Sequence, residues 1–151
     1  MTTLEYSDFH QAAGKVVDAL LAMGKAVDDS GLEKPLTELV KLRVSQINAC
    51  AFCLQYHLNL ARRAGVPATK LDLLAAWRDA PMFDQRERAA LAWAEALTGM
   101  AGQPIEDSAR QRVAELFSPT ELAFLTAAIA SINAWNRIGG GLGFTPPPAA
   151  G

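Results

Sequence analysis

Apolar side chains recur along this chain at alternating spacings of four and three residues, the period of an α-helix with one buried face. The first such stripe predicts one long helix that Gly31 ends. A second helix is predicted to begin near Pro35, because proline fits a first helical turn, and to run to about Ser45 or Ile47. The first stripe is formed by Phe9, Ala13, Val16, Leu20, Met23 and Val27.

Residues that favour helix ends mark the next two helices. Asn48 is the expected N-cap of a third helix over 49–64, and Gly65 is its expected stop. Thr69 is then expected to cap a short helix that continues through Trp77.

Two further helices follow the motif DAPMF. Asp84 and Glu87 have the spacing of a capping box, which predicts a helix that Gly99 ends. A helix of about ten residues fits between Glu106 and Phe117.

The last helix has an unusually complete start signal. Ser118, Pro119 and Glu121 supply an N-cap, a first-turn proline and a capping glutamate. We expect this helix to span about 19 residues and to end at the three glycines 139–141. The Pro-rich tail, 142–151, is expected to be disordered or to lie extended on a neighbouring subunit.

No strand of useful length with alternating hydrophobicity is present, and the hairpin dipeptides NG and DG are absent from the sequence. The expected fold is therefore all-α, a single domain over 1–151 with about six to eight helices.

Charge and composition exclude several classes of function. The 14 basic and 16 acidic side chains give a formal charge of −2, and no basic stripe exists that could follow a nucleic acid backbone. No apolar run is long enough to cross a membrane, and the first ten residues lack the basic stretch of a signal peptide. We therefore expect a cytoplasmic protein with neither nucleic acid nor membrane as a partner.

The chemistry of the chain is concentrated around its two cysteines. Cys50, Cys53 and His57 follow one another at spacings of three and four, so a helix places all three on one face. Cysteines at this spacing have Cα atoms about 5 Å apart, within the range of a disulfide, and the first helical turn favours a thiolate. His57 can accept a thiol proton, and Glu38 on the preceding helix can balance an imidazolium charge if the two helices pack together.

A metal site is the alternative interpretation of the same four residues. Two thiolates, one imidazole and one carboxylate are a ligand set that zinc accepts. Structural zinc sites usually draw on two short motifs, and the sequence has no second CxxC or HxxxH. The residues themselves thus favour a redox pair and leave zinc as the lesser possibility, with His10 expected on the surface.

The motif E-x11-C-x-x-C-x3-H, formed by Glu38, Cys50, Cys53 and His57, resembles the core of the alkylhydroperoxidase D (AhpD)-like proteins of the carboxymuconolactone decarboxylase superfamily. The resemblance covers about residues 15–140. It implies an all-helical fold with the CxxC at the N-terminal end of a core helix, assembly into homo-oligomers such as trimers or hexamers, and thiol-dependent peroxidase activity.

The resemblance also implies a role for each residue. Cys53 corresponds to the cysteine that attacks the peroxide, and Cys50 to its disulfide partner. Glu38 and His57 correspond to the proton relay. Where the best-known members of the family carry a further histidine between the two cysteines, this chain has Phe52.

The resulting hypothesis is a hydroperoxide reductase that is recycled by an external dithiol or a reductase protein. We expect no cofactor, because no GxGxxG motif follows a strand and the glycines at 139–141 follow a helix. Two alternatives stay open: an oligomeric redox sensor or binding protein without enzymatic activity, and a small-acid enzyme like the decarboxylases of the superfamily. The CxxC pair argues against the decarboxylase, because decarboxylation has no use for a dithiol.

Overall fold

A computed structural model describes residues 1–150, which form eight α-helices and one 3-10 turn and contain no strand. The all-α prediction is confirmed, and the number of helices falls at the upper end of the expected range. The helices are α1 (Tyr6–Ala12), α2 (Gly14–Asp29), α3 (Lys34–Ile47), α4 (Ala51–Arg63), α5 (Ala68–Leu73), α6 (Gln85–Thr98), α7 (Asp107–Leu116) and α8 (Pro119–Leu142), with the 3-10 turn at Leu74–Ala76. Within residues 1–150, no helix is long and apolar enough to cross a membrane.

Helix α3 lies at the centre of the molecule and packs against α4, α6 and α8. Its side chains are buried on nearly every face, including the polar residues Glu38 and Lys41. Val40 and Val44 join a core cluster with α6, α7 and α8, and Leu39 and Leu42 join a second cluster with the segment from α4 to α6. A helix in this position can hold a buried carboxylate away from water, which an amphipathic surface helix cannot do.

The predicted long first helix is wrong in one respect, because the chain breaks at Ala13 into α1 and α2. Ala13 leaves the helical conformation at φ −130° and ψ 41°, immediately before Gly14, a poor helix former. The break lets α1 turn toward the C-terminal segment, where the rings of Tyr6 and Phe9 lie about 6 Å from the ring of Phe144. Tertiary contacts thus override the continuous hydrophobic stripe.

Two of the four predicted N-caps are confirmed. Asp84 and Ser118 each form a capping box with the glutamate three residues later. Asn48 is instead the C-cap of α3, and Cys50 is the N-cap of α4. The Thr69 prediction is also wrong, because Pro67 is the N-cap of α5, and α5 ends at Leu73 with the 3-10 turn after it.

The expectation that glycines 139–141 end the last helix is wrong, since α8 runs through them to Leu142. The helix ends at Gly143, which has the left-handed φ of +74° that favours glycine. A Cβ atom at Gly139 would lie 3.4 Å from Cys53 Sγ, and one at Gly140 would lie 3.6 Å from Cys50 Cβ. Two of the three glycines therefore bring α8 close to the start of α4.

A matched pair of alanine substitutions tests this explanation. Gly141 has no atom within 4 Å of its would-be Cβ, so Gly141→Ala is expected to raise the free energy of unfolding by about 0.5–1 kcal/mol through helix propensity. Gly139→Ala is expected to gain none of this, because its Cβ would also lie 3.3 Å from the ring of Phe144. Urea denaturation of both variants measures the difference, and an equal gain at the two positions would contradict the packing role of Gly139.

The C-terminal tail packs on its own chain as far as Ala150, so the expectation that it is disordered is wrong, and a contact with a neighbouring subunit stays a prediction. Phe144 is buried, and Thr145 binds Glu5 through both its amide and its hydroxyl. The side-chain amide of Asn59 on α4 donates to Pro148 O (3.0 Å), and its Oδ1 accepts from Ala150 N (3.0 Å). An extended Pro-rich segment is held in this way across α4.

Candidate active site

The cysteine pair lies at the start of α4, as the sequence predicts. Ala49 has a left-handed φ of +53°, which reverses the chain between α3 and α4 and makes Cys50 the N-cap. Cys50 Sγ accepts a hydrogen bond from Cys53 N at 3.3 Å. The two Sγ atoms are joined in a disulfide, and the Cα atoms are 5.3 Å apart. Both cysteines are nearly inaccessible, at 1% and 3% exposure.

One turn further along α4, His57 meets Glu38 of α3. His57 Nδ1 lies 2.7 Å from Glu38 Oε2. Glu38 is completely buried. Because an ionised carboxylate only accepts hydrogen bonds, Nδ1 carries the proton in this pair, and Nε2 is left as the atom that can take up another.

Two lysines share the other oxygen of the same carboxylate. Lys34 Nζ lies 3.1 Å from Glu38 Oε1, and Lys41 Nζ lies 3.4 Å from it. Burial by itself would raise the pKa of Glu38, but the hydrogen bond from His57 and the charges of His57, Lys41 and Lys34 outweigh burial and lower the pKa from its ordinary 4.5 to about 2. Glu38 is therefore ionised at neutral pH.

Cys53 and His57 open into one cavity of about 640 Å³, a volume typical of sites for small organic molecules. Helix α1, helix α2 and the tail supply the opposite walls. Among the residues that line it are Leu20, Leu21, Lys34, Lys41, Trp135 and Pro147. Cys50 does not line the cavity.

Aromatic rings surround the exit from Cys53. Phe52 stacks on Tyr6 and on Tyr56, with ring centroids about 6 Å apart, and meets Phe144 edge to face at 5.3 Å. Tyr56, which precedes His57 on α4, is 44% exposed and lines the same cavity. The position of the family's extra histidine, Phe52, is thus part of an apolar wall.

Three residues of α8 near the site have mainly structural contacts. Asn133 and Asn136 accept hydrogen bonds from Asn48 at 3.0 and 2.9 Å, which ties α8 to the end of α3. The carbonyl oxygen of Trp135 lies 3.7 Å from Cys53 Sγ. Asn133 and Asn136 lie within α8, so they link it to Asn48, the C-cap of α3.

The structure gives no additional support to the alternative of a zinc site. Within residues 1–150, no three His, Cys, Asp or Glu side chains are placed to hold one metal ion. His10 lies on the surface, as expected.

The sequence did not lead us to predict that two lysines contact Glu38 or that both chain ends form walls of the cavity. Lys34 and Lys41 lie four residues before and three residues after Glu38, which are the spacings at which helical side chains meet. These spacings could have identified both lysines as neighbours of Glu38 from the sequence. Tyr6 and Pro147 reach the cavity only through the tertiary packing of α1 and the tail, for which no local pattern exists.

A model of the carboxymuconolactone decarboxylase family matches residues 14–96, more than half of the chain. The chain belongs to the carboxymuconolactone decarboxylase family. The matched segment contains Glu38, both cysteines and His57.

Relatives within and around this family place the chain among its AhpD-like members. It is 32% identical over 130 residues to the uncharacterized protein YdfG of Bacillus subtilis (strain 168), covering 86% of this chain and 88% of YdfG. A crystal structure from Agrobacterium tumefaciens, of a protein of unknown function named as a candidate antioxidant defence protein AhpD, superposes with a TM-score of 0.91 at 34% identity, covering 98% and 99% of the two chains. An uncharacterized peroxidase-related protein from Silicibacter sp. TM1040 shares the fold, with a TM-score of 0.78 at 22% identity over 94% and 82%.

The family match also separates the site into two parts. Glu38, both cysteines and His57 lie inside the matched segment, whereas α8 and the tail, which supply Trp135 and Pro147 to the cavity wall, lie outside it. In this member of the carboxymuconolactone decarboxylase family, the residues that line the cavity therefore come partly from regions that the family model does not describe.

Proposed function

We propose that the protein is a thiol-dependent hydroperoxide reductase that uses Cys53 and Cys50 as a redox pair. One observation carries the proposal: Cys53, half of the disulfide, opens into the same cavity as a histidine whose Nδ1 is held by a buried, ionised glutamate. The Agrobacterium protein, similar along nearly its whole length, is named for antioxidant defence, which supports the same assignment.

The reaction begins with the reduced pair. His57 Nε2 takes the proton from the Cys53 thiol, and the thiolate attacks the distal oxygen of a hydroperoxide, ROOH. The S–O bond forms as the O–O bond breaks, which leaves Cys53 as a sulfenic acid. The alkoxide that departs receives the proton from His57 and becomes the alcohol, ROH. Glu38 keeps the imidazole in place and balances its charge during the transfer.

Cys50 then closes the cycle. Its thiol attacks the sulfur of the Cys53 sulfenic acid, which forms the disulfide and releases water. An external dithiol reduces the disulfide by exchange and is itself oxidised, because the mechanism needs two electrons per turnover that the chain does not store. The cavity opening next to Cys53 favours Cys53 over Cys50 as the peroxide-attacking residue.

Serine variants of the two cysteines test the proposal. The wild-type protein is expected to consume cumene hydroperoxide in the presence of excess dithiothreitol. Cys53→Ser is expected to abolish turnover, since no thiolate faces the cavity. Cys50→Ser is expected to accumulate a sulfenic acid on Cys53, which dimedone labels and mass spectrometry detects.

The double variant Cys50→Ser/Cys53→Ser is the control for background consumption. Wild-type turnover no faster than that of the double variant would refute the peroxidase and leave the alternative of a redox sensor without enzymatic activity. If Cys53→Ser retained turnover and carried a sulfenic acid on Cys50, Cys50 would be the residue that attacks the peroxide and Cys53 its disulfide partner.

Assembly into a homo-oligomer and a cytoplasmic location are also part of the proposal. Helix α2 supports assembly, because only Val17 and Val27 of it are buried, whereas Val16 and Leu21 are about half exposed. The apolar segment LAWAEAL does not contribute to this argument, since Leu91, Trp93 and Ala94 pack into the core of their own chain.

A further inference from the structure

The cavity next to Cys53 combines two kinds of wall. Aromatic and aliphatic side chains form most of its surface, among them Phe52, Leu20 and Trp135. A group of charged side chains from α2 and α3 lies in the same lining, including Lys41. A molecule that is apolar at one end and anionic at the other matches both kinds of wall.

Lys41 is the charged residue with unused hydrogen-bonding capacity. It is only 8% exposed, yet its ammonium group has a single hydrogen bond within residues 1–150, the one to Glu38 Oε1 at 3.4 Å. An ammonium group carries three donors. A buried lysine with one long hydrogen bond therefore presents spare donors, and Lys41 lines the cavity.

Lys34 differs from Lys41 although it lines the same cavity and contacts the same oxygen of Glu38. Its ammonium group lies 2.9 Å from Asp28 Oδ1 and 3.1 Å from Glu38 Oε1, so two carboxylates already neutralise it. The Glu38 carboxylate likewise has His57 at 2.7 Å on its other oxygen. Lys41 is consequently the third and most distant cation around Glu38, and the one best placed to accept an additional anion.

We propose that the substrates are organic hydroperoxides that carry a carboxylate, with Lys41 as the residue that binds the carboxylate. This inference rests on the proposed function and specifies its substrate class. The apolar body of the substrate lies against Phe52, Leu20 and Trp135, and the peroxide group reaches Cys53. Lys41 and His57 contact the two oxygens of the same Glu38 carboxylate, and both residues line the cavity together with Cys53.

A matched pair of substrates isolates the contribution of the charge. The first is 4-isopropylbenzoic acid with its hydroperoxide group on the tertiary carbon of the isopropyl group, as in cumene hydroperoxide. The second is the methyl ester of the same compound, so the two substrates differ only at the carboxylate. Wild-type kcat/KM is expected to be about tenfold higher for the acid, the size of effect that a charge-assisted hydrogen bond produces. Lys41→Met is expected to bring the ratio of acid to ester close to one, and Lys41→Arg to preserve it.

Lys34→Met is the matched control. It removes a lysine from the same cavity and the same oxygen of Glu38, so any effect on the Glu38–His57 pair slows acid and ester by the same factor. Its ratio of acid to ester is expected to equal that of the wild type. The inference is overturned if the wild type does not prefer the acid, or if Lys34→Met and Lys41→Met lower the ratio equally.

Binding measured without turnover separates this inference from the proposed function. In calorimetry with the oxidised wild-type protein, 4-isopropylbenzoate is expected to bind about tenfold more tightly than its methyl ester, and Lys41→Met is expected to remove the difference. Such binding in a protein that consumes no hydroperoxide would refute the peroxidase and keep Lys41 as the residue that binds a carboxylate. Hydroperoxide turnover with equal affinity for the acid and the ester would refute the inference alone.

Discussion

Removing either member of the Glu38–His57 pair is expected to slow hydroperoxide consumption by about 10²- to 10⁴-fold, the usual contribution of general acid–base catalysis. In Glu38→Gln the side chain keeps its shape but loses the charge that balances a protonated His57. In His57→Ala the imidazole that would carry the thiol proton to the departing alkoxide is lost. Stopped-flow measurement of the first turnover with reduced protein detects this chemical step directly.

Glu95→Gln serves as the matched control for the loss of a carboxylate. Glu95 is a partly buried glutamate that, like Glu38, belongs to a hydrogen-bonded network, with Arg43 Nε at 2.8 Å and Trp77 Nε1 at 2.9 Å. It does not line the cavity that contains Cys53. Its variant is expected to retain the wild-type rate, and full rates in both Glu38→Gln and His57→Ala would show that neither residue relays a proton.

The second large effect concerns stability in acid. The pKa of Glu38 is about 2 in the folded protein, because burial, which would raise it, is outweighed by His57 and the two lysines. A carboxyl group whose folded pKa is lowered stabilises the fold above its unfolded pKa, near 4.5, and loses this effect as the pH falls toward the folded pKa. The shift corresponds to about 3 kcal/mol in total, of which about 2 kcal/mol is lost by pH 3.

Urea denaturation at pH 5.5, 4 and 3, at one protein concentration, measures this loss. Other carboxyl groups also titrate in this range, so the quantity to compare is the difference between wild type and Glu38→Gln. The free energy of unfolding is expected to fall more steeply in the wild type, by about 2 kcal/mol at pH 3. Parallel curves for the two proteins would mean that the pKa of Glu38 is not lowered on folding.

The helices were predictable wherever local chemistry decides them. The boxes at Asp84 and Ser118 begin α6 and α8 as expected, because both halves of each motif lie within four residues. The predictions of helix boundaries are wrong where contacts with distant segments determine the boundary. The sequence predicts that glycines 139–141 end the last helix, but α8 continues through them, and Gly139 and Gly140 lie against the start of α4, a contact that no local rule contains.

The candidate site divides in the same way. Cys50, Cys53 and His57 belong to one helix, so their spacing alone places them on one face. The prediction that Glu38 lies beside His57 required only the assumption that two consecutive helices pack together. The distance of 2.7 Å between His57 Nδ1 and Glu38 Oε2 agrees with this assumption. The sequence shows that Lys41 is charged but does not predict that it is buried, because its burial results from the central position of α3.

The walls of the cavity draw on segments from both sides of the helical core. Tyr6 and Pro147 line the same space, and Thr145 binds Glu5 next to it. During synthesis on the ribosome, α3 and α4 therefore emerge long before the tail that finishes their pocket.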